Sequence, residues 1–233
     1  MSFLTELHLH TDEMSPCGHV PAEEMVRLYH EAGYATLVFT DHYYPKIYEA
    51  HGGISHEELV ARYEKTFRKA AAAAAGYGMT ALFGLEIRFT DADNDYLVYG
   101  MDFDFFRKHD RMMELGLERF SELSHREGFY LIQAHPFRKG MKIQNPALLD
   151  AMEVHNGNPR HDSRNDVARL WAEMYGLAAT SGSDAHQTED VGRGGIATES
   201  RITTMEELIS VLKSGEYSLI EKGDRGKEFS LTR

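Results

Sequence analysis

An α/β fold on a parallel sheet, open or closed into a barrel, is what the sequence predicts. Three observations point there. Short apolar runs alternate with amphipathic stretches along the 233 residues, giving about seven strands with no linker and no fixed-period repeat. Nearly every histidine or carboxylate with metal-binding potential falls where an apolar run stops. The carboxyl ends of barrel strands are where sites are built, so the two patterns explain each other.

Residues 3–8 read as the first strand, leading into Glu6-Leu7-His8-Leu9-His10. On a strand successive side chains alternate faces, so His8 and His10 share one. A loop over 11–20 precedes a helix that Pro21 opens, with Glu23 and Glu24 at its positive end. Met25, Leu28, Tyr29 and Ala32 form its apolar face, and Gly33 suits a left-handed cap. Residues 35–39 are a strand covered on both faces, ending in Thr40-Asp41-His42. A long loop follows with Tyr43, Tyr44, Tyr48 and His51. Ser55 and Glu58 have capping-box spacing and start a helix that runs through the alanine stretch to Gly76.

Residues 79–83 lead into a strand at 84–88 that carries an acid, Glu86, and 96–101 form another strand. Residues 110–126 have helical periodicity through Met113, Leu117, Phe120 and Leu123, closing at Gly128. Strands at 129–132, 151–154 and 177–180 end in Gln133-Ala134-His135-Pro136-Phe137-Arg138, His155-Asn156-Gly157 and Ser181-Gly182-Ser183-Asp184-Ala185-His186. A helix at 166–175 lies between the last two. A glycine-rich turn, a strand at 196–198, a helix at 205–213 and a strand at 217–221 finish the fold. The whole span of 1–233 is expected to be one domain.

A hydrophobic content of 42% allows a sizeable core, and no run reaches the roughly 20 apolar residues of a membrane span. The first residues have neither a basic region nor an apolar core, so no secretory signal is expected. One cysteine, Cys17, excludes an intramolecular disulfide framework and favours a cytoplasmic setting. A formal net charge of −12 argues against a nucleic-acid partner held by bulk electrostatics. The oligomeric state is not legible.

The candidate ligands are His8, His10, Asp41, His42, Glu86, His135, Asp184 and His186. Imidazoles and carboxylates without a cysteine cluster suit zinc, manganese or iron in open sites, and they are too many for one ion. Two or three divalent ions a few ångströms apart suit phosphate-ester hydrolysis by attack of a metal-activated hydroxide on phosphorus.

His8-Leu9-His10-Thr11, Thr40-Asp41-His42, the Glu86 strand, Ala134-His135-Pro136 and Gly182-Ser183-Asp184-Ala185-His186 resemble, in order, the motifs of the PHP (polymerase and histidinol phosphatase) superfamily. The resemblance covers about residue 4 to about residue 200. It implies a distorted (β/α)7 barrel with a trinuclear metal site, and a phosphoesterase activity. Carried over, it assigns His8, His10, Glu86 and Asp184 to one ion. Glu86 would bridge to a second ion also bound by His135, and His42 and His186 would hold a third. Cys17-Gly18-His19 is similar to the Cys-Gly-His pattern of histidinol-phosphatase-like members, which nominates His19 for the third ion, with Cys17 as substitute. Where members of the superfamily commonly place a histidine after the glutamate strand, this chain has Asp95: either it stands in as an oxygen donor or the second site holds its metal less firmly. His109 is the alternative.

Arg138, three residues after His135, could clamp a phosphate oxygen bidentately, although an ion-paired surface arginine needs no such role. Arg88 and Arg160 are further phosphate candidates. Tyr43, Tyr44 and Tyr48 are candidate pocket walls, and His155 a candidate lining residue. Asp41 is expected to orient a histidine. His30, His56 and His125 are expected to be structural. The activity expected is phosphomonoester hydrolysis on a small phosphorylated metabolite such as histidinol phosphate. A nucleotidase or 3'-5' exonuclease is the alternative, and a non-catalytic metal-binding module the reading of another class.

Overall fold

The structure, a computed structural model, describes residues 2–222. Met1 and residues 223–233 of the expected single-domain span therefore lie outside the described residues. The chain runs β1 (Phe3–Leu9), α1 (Ala22–Glu31), β2 (Tyr34–Phe39), β3 (His42–Tyr43), α2 (Ile47–Ala50), α3 (His56–Gly76), β4 (Thr80–Arg88) and β5 (Asp95–Tyr99). It continues with α4 (Phe103–Lys108), α5 (Gly116–Glu127), β6 (Tyr130–Gln133), β7 (Ala151–Asn156), α6 (Asn165–Tyr175) and β8 (Ala178–Gly182). β9 (Ile196–Thr198), α7 (Met205–Ser214) and β10 (Ser218–Leu219) follow.

One sheet holds all ten strands found among the described residues, in the order β10-β9-β1-β2-β4-β5-β6-β7-β8, with β3 paired to β4. Seven of them, β1, β2 and β4 to β8, curl into a nearly closed barrel. Closure comes where β1 meets the end of β8: His10 donates its backbone N–H to the Ala185 carbonyl and Ala185 donates to His8. The fold is thus the distorted TIM-like barrel expected. The sheet is not wholly parallel, however. β5 runs antiparallel to β4 and β6, and β9 and β10 pair antiparallel at the edge. Only residues 89–94 join β4 to β5, too few for the crossover that a parallel neighbour requires. This reversal brings Asp95, the first residue of β5, to the mouth where the other strands end.

Local signals account for most boundaries. Ser55 and Glu58 form both halves of a capping box, and Thr204 and Glu207 form another at α7. The helix expected over 110–126 begins later, at Gly116, whose φ of +71° breaks the run from Met113. α4 and the short α2 were not anticipated. The core lies between the barrel wall and the helices that cover it. Tyr43, Ile87, Phe106 and Phe120 anchor one cluster, Leu7, Ile132 and Leu208 a second, and Leu9, Met25 and Leu37 a third. Each such side chain contributes roughly 1.5–3 kcal/mol on burial. Leu7 and Leu9 point into these layers, so the alternation of β1 turns His8 and His10 the other way, into the barrel mouth.

Candidate metal centre

His8 and His10 are fully buried, and their outward ring nitrogens converge on two carboxylates. His8 Nε2 lies 3.3 Å from Glu86 Oε1 and 3.4 Å from Asp184 Oδ1. His10 Nε2 lies 3.4 Å from Glu86 Oε2 and 3.3 Å from Asp184 Oδ1. Four ligands bound tetrahedrally at about 2.1 Å would stand about 3.4 Å apart, so these spacings are those of a coordination shell. Glu86 is shared further. Its Oε1 is 3.1 Å from His135 Nε2, and its Oε2 is 2.6 Å from His42 Nδ1. His42 is Glu86's register partner across the β3–β4 pair, which fixes that approach.

Four groups of ligand atoms lie close enough to share an ion: His8, His10 and Asp184; His8, Glu86 and His135; His10, His42 and His186; and His42, Glu86 and Asp95. Whether these residues fit divalent ions can be asked of their hydrogen bonds. His8 Nδ1 contacts Glu153, His10 Nδ1 contacts Ser15 Oγ, and His186 Nδ1 contacts its own strand-end carbonyl at Asp184. Each contact uses the rear nitrogen and leaves Nε2 facing the centre. His8 Nε2 and His10 Nε2 are buried without any hydrogen-bond partner, an arrangement that is costly unless something cationic accepts their lone pairs. The set fits.

The electrostatics agree. Burial opposes charge on His8, yet Glu153, Asp184 and Glu86 hold its pKa well above the ordinary value, and Glu86 and Cys17 do the same for His42. His10 is pushed well below, by burial and then by its cationic neighbours His186 and His42. Burial of Glu86 and Asp184 is overcome by these imidazoles, with Arg138 assisting at Asp184, so both carboxyls lie far below their usual range. Protons here occupy the place that a divalent cation would take.

Two of these residues have backbones few side chains adopt: His135 at φ +27° and Asp184 at φ +50°. Both sit two residues past a strand end, after β6 and after β8.

Not every nominated residue arrives there. His19 is exposed and joins none of the groups. Cys17, from the same loop, also joins none of the groups; burial raises its pKa, but the neighbouring His186 and His42 imidazoles lower it to about 6. Asp95 is at the mouth, 3.9 Å from His135 Nε2, and takes a bidentate contact from Arg88 at 2.7 Å through each oxygen. Arg88 is therefore committed to its cross-strand neighbour. Arg160 is likewise committed, gripping Asp190 at 2.6 Å through both arms. Arg138 does reach the site: its Nη2 is 2.7 Å from Asp184 Oδ2 and 2.9 Å from Asn156 Oδ1.

Tyr43 is a correction. It is fully buried in the core against Phe106, its hydroxyl 3.2 Å from that of Tyr48, because β3 turns His42 to the mouth and Tyr43 away. Tyr48 is bonded to Asp110 and His56. Tyr44 is the tyrosine beside His42, with ring centres 6.2 Å apart. His155 is buried, with Nε2 3.2 Å from the Arg193 carbonyl and Nδ1 3.3 Å from Asn165 Nδ2. His109 stacks on Phe105 and bonds to its carbonyl. Asp41 accepts from Thr11 N, Thr11 Oγ1 and Ser15 Oγ, and so steadies His10 through Ser15.

Three supporting residues went unnoticed in the sequence. Glu6 is buried under the mouth and accepts from Leu7 N, His8 N, Tyr29, and Ser183 N and Oγ, tying β1 to the loop of Asp184. Glu153 lies behind His8, and Ser15 links Asp41 to His10. The signal available for the two glutamates was an acid inside a buried apolar strand, the same feature that drew attention to Glu86.

A family model described as PHP-associated matches residues 162–217. No curated protein sequence matches the chain. Among solved structures, PsfC from Pseudomonas syringae superposes with a TM-score of 0.70 at 19% identity, over 95% of this chain and 92% of that one. A two-domain protein from Bacteroides vulgatus, described as containing a predicted PHP-like metal-dependent phosphoesterase, gives 0.65 at 15% identity, over 95% of this chain and 65% of that one. The lesion-specific endonuclease PfuEndoQ from Pyrococcus furiosus gives 0.65 at 16% identity, over 94% of this chain and 58% of that one. The chain thus spans less than two thirds of the last two proteins. At such identities the likeness is one of fold.

Proposed function

Taking as premise the PHP superfamily membership that the barrel fold and the match over residues 162–217 support, we propose that this protein is a metal-dependent phosphomonoesterase acting on a small phosphorylated metabolite. The observation that carries the reading is the sharing of Glu86. One oxygen faces His8 and His135, the other faces His10 and His42, so a single carboxylate can serve two adjacent ion positions. Divalent ions in those positions would neutralise phosphoryl oxygens and lower the pKa of a water near phosphorus.

The chain's own residues supply the rest. His8, His10, Glu86 and Asp184 would hold one ion, Glu86 and His135 a second with Asp95 nearby, and His42 and His186 a third with Cys17 in place of His19. Two to three ions per chain are therefore expected, of zinc, manganese or iron. Arg138 sits beside Asp184 with its Nε unpartnered, so its guanidinium is placed to take a phosphate oxygen at the edge of the ligand set. Asp41 acts at one remove, through Ser15 on His10. Tyr44 offers a wall for the leaving group beside His42.

No helix among the described residues is long and apolar enough to cross a membrane. A cytoplasmic setting belongs to the proposal and rests on the single cysteine.

The test is phosphate release by the manganese- or zinc-loaded protein from a panel of histidinol phosphate, sugar phosphates and nucleoside monophosphates, with a single-stranded oligonucleotide beside it. Turnover of a phosphomonoester that chelation abolishes supports the reading. Oligonucleotide cleavage without monoester turnover transfers it to a nuclease, the class of the Pyrococcus protein. Metal uptake without any turnover leaves a binding module.

A further inference from the structure

Glu153 belongs to none of the ligand groups, yet it touches the His8 ring and holds the backbone of His135. It is the third residue of β7, a strand buried along its whole length, and is 1% exposed. Its Oε1 lies 2.9 Å from His8 Nδ1. Its Oε2 accepts the His135 backbone N–H at 2.9 Å and the Asn156 side-chain amide at 2.9 Å. Asn156 in turn uses its Oδ1 to accept from Arg138 Nη2, which also reaches Asp184. One carboxylate is thus wired to His8 on β1, to His135 after β6, and through Asn156 to the Arg138–Asp184 pair.

Each contact has a specific consequence. Accepting the His8 Nδ1 proton selects the tautomer whose Nε2 lone pair faces the centre. Holding the His135 N–H restrains a residue whose φ of +27° few side chains adopt. These donors take three of the roughly four lone-pair sites of the carboxylate, and Glu153 joins none of the groups whose ligand atoms could share an ion. The space for it exists because Gly182 on β8 has no Cβ: one placed there would stand 2.5 Å from Glu153 Oε1 and 2.5 Å from His8 Cβ.

We propose that Glu153 is a positioning residue for the metal centre, orienting His8 and His135 together. The inference rests on the metal-site reading above. A group that only filled core volume would be replaceable by its isosteric amide. Glu153→Gln instead puts an NH2 against either the His8 Nδ1–H or the His135 N–H, so one ligand must turn.

The experiment uses cobalt(II) as probe, with calorimetric titration for affinity and visible absorption for ligand geometry, on the wild type, Glu153→Gln and Glu153→Asp. The wild type should bind cobalt with resolved d–d bands. Glu153→Gln should bind about 10- to 100-fold more weakly with shifted bands, the range for losing a hydrogen-bond partner of a ligand. Glu153→Asp, too short to reach His8 and His135 at once, should also lose affinity, and serves alone if the amide variant does not fold. Unchanged affinity and bands in the folded variants would overturn the positioning role while leaving the metal site standing. A wild type that binds no cobalt would overturn the metal-site reading itself.

Discussion

Gly182→Ala is the smallest change that probes how tightly the centre is built. The added Cβ meets Glu153 Oε1 at 2.5 Å and His8 Cβ at 2.5 Å, about 0.9 Å inside an ordinary van der Waals approach on two sides. Neither neighbour can retreat cheaply. His8 is fixed in β1, and Glu153 is held between His8 Nδ1 and the His135 N–H. Overpacking of this kind costs about 1–3 kcal/mol, and with both neighbours pinned the upper end is expected, about 3 kcal/mol. In a domain of this size each kcal/mol moves the melting temperature by about 2–4 °C, which gives a fall of about 6–12 °C. Thermal denaturation of the metal-free protein by circular dichroism reads it. Gly76→Ala is the control: it ends α3, has nothing within 4 Å of its Cβ, and should be neutral or slightly stabilising. A Gly182→Ala melting point within about 2 °C of wild type would refute the claim that Gly182, Glu153 and His8 are packed against each other.

His8→Ala should fold, since the far-UV spectrum depends on the barrel and not on this ring, but phosphate release should fall to background; full turnover would remove His8 from the ligand set. Arg138→Ala should lower kcat/KM about 10²- to 10³-fold, the usual effect of deleting one preorganised charge donor. Arg160→Ala should spare turnover to within about threefold and lower stability by about 1–2 kcal/mol, because it strips one partner from buried Asp190; equal losses of turnover in the two variants would contradict this division. Metal affinity should weaken as pH falls. Burial opposes it, but neighbouring carboxylates raise the His8 and His42 pKa values in the ion-free protein, so binding must expel protons and is favoured as they leave at higher pH. Calorimetry in two buffers of different ionisation heat measures that release, and pH-independent affinity between pH 6 and 9 would count against it.

The strand-end residues were legible because alternation and apolar runs say where a strand stops and which face a side chain takes. That reasoning brings His8, His10, His42, Glu86, His135, Asp184 and His186 to one mouth without knowledge of the fold's closure. It fails where a partner distant in sequence decides. Arg160 and Arg88 looked free, but Asp190 and Asp95 claim them, one through a loop contact and one through the β4–β5 register. Tyr43 and Tyr44 cannot be told apart until a two-residue strand sets their faces. Glu153 was hidden because its significance lies in His8, 145 positions away. The reversal of β5 was legible in the short link before it, and was missed because the surrounding pattern reads as parallel.

Anomalous diffraction from a crystal grown with manganese tests the central claim most directly. The account predicts peaks within about 2.0–2.3 Å of His8 Nε2, His10 Nε2, Glu86 and Asp184, with a second peak on the His135 side of Glu86. Peaks confined to surface carboxylates, with these side chains still facing one another across an ion-free mouth, would contradict it.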